Sequence, residues 1–133
     1  MALPNGSGGY QVGDGNLAEP LFFVQGAPTA LTGAATATAA QLVNGLFTFN
    51  GTAGDLTLPT VSALETAFPS MGEKNDSAFD FFVINIDATT DDVTVAVGTG
   101  WTLVGNGKVD EATSGHFRCR KTGSGTWTVY RIS

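Results

Sequence analysis

His116-Phe117-Arg118-Cys119-Arg120-Lys121 and Thr126-Trp127-Thr128-Val129-Tyr130-Arg131-Ile132 are joined by Thr122-Gly123-Ser124-Gly125. The second run is rich in β-branched and aromatic residues, the first alternates Phe117 and Cys119 with basic residues, and the link between them is made of turn formers. They read as two strands and a turn, a β-hairpin. Alternation puts Phe117 and Cys119 on one face of the first strand and Arg118 and Arg120 on the other.

The same pattern extends back along the chain. Val93, Val95 and Val97 alternate with Thr94 and Ala96, as in a half-buried strand. Trp101-Thr102-Leu103-Val104 follows a Gly98-Thr99-Gly100 turn. Residues 78–86 form the longest run, apolar on both faces, and such a strand is expected to be central and covered twice. Residues 46–50 and 55–58 read as a strand and its return around Gly51-Thr52-Ala53-Gly54. Residues 21–25 read as the first firm strand, and residues 29–37 show no clear period.

Two short helices interrupt the strands. Thr38 can cap residues 39–44, with Gly45 as the stop. Thr60 or Ser62 can cap the second, where Ser62 and Glu65 have capping-box spacing. Val61, Leu64, Ala67 and Phe68 line one face of that helix, and Pro69 ends it. It is expected to cover an open end or face of the sheets. Turns recur roughly every 8–12 residues through the second half. The resulting expectation is an all-β, jelly-roll-like β-sandwich of about eight short strands with one or two short helices. No internal repeat is visible, which argues against a propeller or a solenoid.

A chain of 133 residues suits one domain with a core of its own. Residues 1–20, with Asn5-Gly6-Ser7-Gly8-Gly9 and Gly13-Asp14-Gly15-Asn16, read as a flexible arm, and residues 21–133 as a single β-sandwich domain. The net charge of −6 is unevenly spread. Residues 1–107 hold one lysine and ten acidic residues, whereas residues 108–133 hold five basic and two acidic ones. The acidic body disfavours direct binding of nucleic acid. The basic hairpin can meet an acidic patch on a neighbouring subunit. No apolar stretch is long enough to span a membrane, and Met1-Ala2-Leu3-Pro4 does not open a secretory leader.

There is little material for catalysis. Cys119 is the only cysteine and reads as a small core residue, and His116 is the only histidine. Ser114-Gly115-His116 is close in sequence, but neighbours in a strand point to opposite faces. Zinc patterns need several Cys or His. Asp87, Asp91 and Asp92 cluster in a turn and read as turn chemistry before they read as a cation site. No catalytic, cofactor-binding or metal-ligating residue is assigned.

The ending Gly125-Thr126-Trp127-Thr128-Val129-Tyr130-Arg131-Ile132 resembles small all-β proteins of tailed-bacteriophage heads, the capsid decoration, cement or head-fibre proteins. Gln25-Gly26-Ala27-Pro28-Thr29, Thr38-Ala39-Ala40-Gln41-Leu42, Leu56-Thr57-Leu58-Pro59-Thr60, Phe79-Asp80-Phe81, Ile84-Asn85 and Gly98-Thr99-Gly100-Trp101 are similar too. The resemblance implies a structural virion protein, made in the bacterial host cytoplasm and bound to the outer surface of the capsid. Its partner would be the major capsid protein, whose subunits it would clamp as a homotrimer, without a cofactor. Tyr10, Val12 and Leu17 of the arm, with Arg118, Arg120 and Arg131, are the expected capsid or subunit contacts. The alternative is a receptor- or carbohydrate-binding knob of a phage fibre, which would use Tyr10, Trp101 or Trp127.

Overall fold

The computed structural model describes residues 23–133, so the arm, with Tyr10, Val12 and Leu17, lies outside the described residues. Ten strands and three helices follow in the order β1 (Thr29–Leu31), β2 (Ala35–Thr36), α1 (Ala39–Asn44), β3 (Leu46–Phe49), β4 (Gly54–Thr57), α2 (Val61–Ala67), α3 (Pro69–Gly72), β5 (Ala78–Asn85), β6 (Val93–Ala96), β7 (Trp101–Val104), β8 (Lys108–Val109), β9 (Ser114–Gly123) and β10 (Thr126–Arg131). They build a six-stranded sheet, β1-β3-β5-β9-β10-β7, and a four-stranded sheet, β2-β4-β6-β8. The mostly-β, two-sheet architecture is therefore present.

The connectivity differs from a jelly roll. A jelly roll is two antiparallel Greek keys, but five of the eight strand pairings here are parallel. From β1 to β6 the chain alternates between the sheets, so each turn lays one strand beside its predecessor in each. The first half thus winds like a two-sheet coil, although no sequence repeat marks it. Residues 50–54 are a corner between sheets rather than a hairpin, because β3 and β4 pair with β5 and β6 instead of each other.

At one end of the coil the corners stack. Thr52 N–H donates to the Thr32 carbonyl, Gly54 N–H to the Asp92 carbonyl, and Ala53 N–H to Asp91 Oδ1. A side chain at Gly51 would run into the backbone of Thr32, and one at Gly54 would come within 2.7 Å of Ala34 N. At the other end the helices close the core. Thr38 caps α1 by accepting from Gln41 N–H, and Gly45 ends it at φ 81°. Thr60, not Ser62, caps α2, and Leu42 and Leu64 are fully buried. Pro69 does not only stop α2; it opens the single turn of α3.

The core lies between the sheets. Phe81 stacks on Phe117 at 5.0 Å between ring centroids and meets Phe47 edge-on at 6.0 Å. Phe79, Trp127 and Trp101 continue the aromatic layer at 5.7 Å steps. Asn85 is buried but satisfied: its amide donates to the Asp91 and Val109 carbonyls and its oxygen accepts from Asp87 N–H. Residues 23–25, expected as strand, are exposed coil, held where the Gln25 amide donates to the Asn44 carbonyl at 2.8 Å. β1 and β2 lie instead in the stretch without periodicity. Phe81→Ala is expected to lower stability by about 3–5 kcal/mol in urea unfolding. Gly51→Ala should cost about 1–3 kcal/mol through its backbone clash, and Thr122→Ala should stay within about 0.5 kcal/mol of wild type.

Candidate docking face

The two sheets differ on their outer surfaces. The four-stranded sheet turns out Thr36, Asp55, Thr57, Thr94 and Lys108, a solvated set. The six-stranded sheet turns out Phe82 (43% exposed), Ile84, Ile86, Val104 (49%) and Ile132 (51%). Apolar residues of this size grouped on one face mark an interaction surface more often than a bare solvent boundary.

Strand register arranges these side chains in rows. Leu46 of β3 stands opposite Phe82 of β5, and Phe82 stands opposite His116 of β9. Ile132 extends the row, its N–H donating to the His116 carbonyl. The imidazole stacks on the Phe82 ring at 4.4 Å. A second row runs Asp80, Arg118, Tyr130 and Val104. β5 is central, as expected, but only one of its faces is covered by the described residues.

The charged groups on this face are paired within the chain. Arg118 Nε and Nη2 donate to Asp80 Oδ1 and Oδ2 at 2.6 and 2.9 Å, a two-pronged pair. His116 Nε2 lies 2.7 Å from Asp80 Oδ2. The Arg118 guanidinium, with a further contribution from His116, holds the Asp80 carboxyl at a pKa of about 2 against the desolvation that opposes it. Arg120 donates to Tyr130 Oη and, at 2.7 Å, to Asp76 Oδ1.

The rest of the basic hairpin is also spent internally. Arg131 lies off this face: it points inward, its guanidinium sits 5.1 Å from the Phe117 ring centroid, and it donates to the carbonyls of Asn106, Lys108 and Ser133. Of the expected contacts, Arg118 and Arg120 share the outer face and Arg131 fastens the chain end. Lys121 is buried and donates to Glu65 Oε2 at 2.6 Å, the oxygen that also accepts from Trp127 Nε1. Those two donors, Lys121 first, draw the Glu65 carboxyl below its usual range.

Other candidate groups resolve into structure. Cys119 is buried, and burial pushes its thiol well up, away from reactivity. Asp87 accepts from the Thr89 N–H and hydroxyl, and Asp92 accepts from Glu111 N–H, so these acids serve turns. Asp92, Asp110 and Glu111 approach one another, with the Lys108 ammonium 2.9 Å from Asp92 and 3.0 Å from Asp110. Ser114 and His116 share the outer face, since they are two residues apart, but among the described residues no hydrogen bond joins them. Trp101 and Trp127 are buried, with their N–H groups given to Pro59 and Glu65, so neither offers a ring to a sugar. A cleft of about 550 Å³ at the helix end is lined by Thr60, Ser62, Glu65, Thr99 and Ser124, without an exposed aromatic ring.

No helix among the described residues is long and apolar enough to cross a membrane. No protein-family model, curated protein or solved structure matches the chain. Reasoning from charge found Arg118 and Arg120 but not the apolar members of the face. The signal for those was residues 78–86, too apolar for a strand with one wet side.

Two outcomes are expected. Glu65→Ala should cost about 3 kcal/mol by stranding the Lys121 charge, and adding Lys121→Met should recover most of it, as read by chemical unfolding. Asp80 has its pKa depressed in the fold. Its contribution to stability is therefore complete above the unfolded value of about 4 and lost as pH falls through about 2. The stability gap between wild type and Asp80→Asn should accordingly shrink across that window in pH-dependent unfolding.

Proposed function

We propose that this chain is a structural protein that works by covering another protein surface, and specifically a decoration protein on the outside of a tailed-phage capsid. One observation carries the docking role. β5 is apolar on both faces, yet the described chain covers only the inner one and leaves Phe82, Ile84 and Ile86 exposed. The burial that its sequence calls for is completed by a partner. The resemblance of the C-terminal hairpin and the flanking motifs to phage head proteins implies two kinds of partner, the major capsid protein and further copies of this chain in a trimer.

The role is non-enzymatic in this reading. His116 is stacked and bonded to Asp80, Cys119 is buried, and the turn acids bind backbone N–H groups. Many copies on a repeating lattice turn modest single contacts into firm attachment. The fibre-knob alternative loses its described aromatic platforms, because Trp101 and Trp127 are core residues.

Co-sedimentation with phage capsids stripped of accessory proteins tests the proposal. Wild-type protein is expected to pellet with the capsids and to raise the temperature at which they open. Protein that stays in the supernatant at saturating concentration overturns it.

A further inference from the structure

We infer that the outer face of the six-stranded sheet is where copies of this chain meet one another, and that apolar contact rather than charge attraction holds them. The inference rests on the docking role proposed above and adds the occupant and its chemistry.

Charge selects the face. Two copies of an acidic protein repel wherever their surfaces are net negative. On this face, with Asp76 at its margin, two arginines and two aspartates cancel: Arg118 with Asp80 and Arg120 with Asp76. The other described residues carry eight acidic and four basic side chains. The self-neutralised face is therefore a place where two copies can approach without repulsion. Because each arginine already has its carboxylate, a neighbouring copy can cover it without supplying a counter-charge, which limits the penalty of burying ions.

Area sets the strength. Five inter-strand spacings of about 4.8 Å and strands of about 17–20 Å make a patch on the order of 400–500 Å². A standard interface takes about 800 Å² from each partner. Phe23 and Val24, 83% and 93% exposed, precede Gln25, whose amide is bonded to Asn44. A patch of this size falls short of an obligate interface. Association is thus reversible and concentration-dependent.

Sedimentation velocity on the full chain tests this between about 5 and about 100 μM, at salt concentrations that shorten the Debye length from about 14 to about 4 Å. The expected result is a concentration-dependent oligomer that added salt does not weaken. Phe82→Thr/Ile84→Thr, which keeps strand-forming residues, and Ile132→Asp at the end of the sheet should each raise the dissociation constant at least tenfold. Circular dichroism confirms that each variant is folded.

A monomer at every concentration, an oligomer dissolved by salt, or an oligomer indifferent to both variants overturns the inference. Capsid co-sedimentation of the same proteins separates the two readings. A monomer that still pellets with capsids keeps the proposed function and ends this inference. An oligomer that ignores capsids does the reverse.

Discussion

Backbone packing at the turn end of the sandwich sets the spacing of everything else. Residues 32–34, 50–54 and 87–92 lie against one another closely enough that Thr52 and Gly54 donate hydrogen bonds to neighbouring corners. Gly51 and Gly54 permit this, since a Cβ at either would meet the chain next to it. With the corners in contact, β1, β3 and β5 fall at ladder distance in one sheet, and β2, β4 and β6 in the other. Asn85 ties the arrangement across the core by bonding to carbonyls of the third corner and of β8. The inner aromatic layer and the outer rows both inherit their register from this stacking.

Local chemistry was legible in the sequence, and long-range pairing was not. Thr38 and Gly45 bracket α1 because caps depend on residues within one turn. The hairpin of β9 and β10 was readable for the same reason. Gly51 to Gly54 could equally turn a strand back beside itself or send it to the opposite sheet, and nothing local distinguishes the two. β1 and β2 span three and two residues, too short to show a period, and they exist because β3 and β4 pair with them. Residues 23–25 have strand-forming side chains but no ladder partner, so they remain coil.

The outer face of the six-stranded sheet was half legible. Alternation correctly placed Arg118 and Arg120 together, and the same parity turns Arg131 inward toward Phe117. Counting charge along the chain suggested a free basic surface. In three dimensions Asp76, Asp80 and Glu65 come from elements far away in sequence to neutralise it. The apolar rows were hidden in a strand whose two greasy faces implied two covers, and only the fold reveals which cover the described residues provide.

The alternation of strands between sheets also governs the order in which the molecule can form. Among the described residues, partner strands in every ladder but one are separated by at least one intervening strand, and only β9 and β10 are consecutive neighbours. Local search can therefore assemble only that hairpin, and each remaining pairing must first close a longer loop, which places folding among slow, non-local topologies. The hairpin lies after every other strand in the chain, so β5 and β7 wait for the neighbours that join them into one sheet. During synthesis the parallel coil is made first and the six-stranded sheet is completed last, and until β9 emerges, the edge of β5 stays open to any other chain that offers a strand.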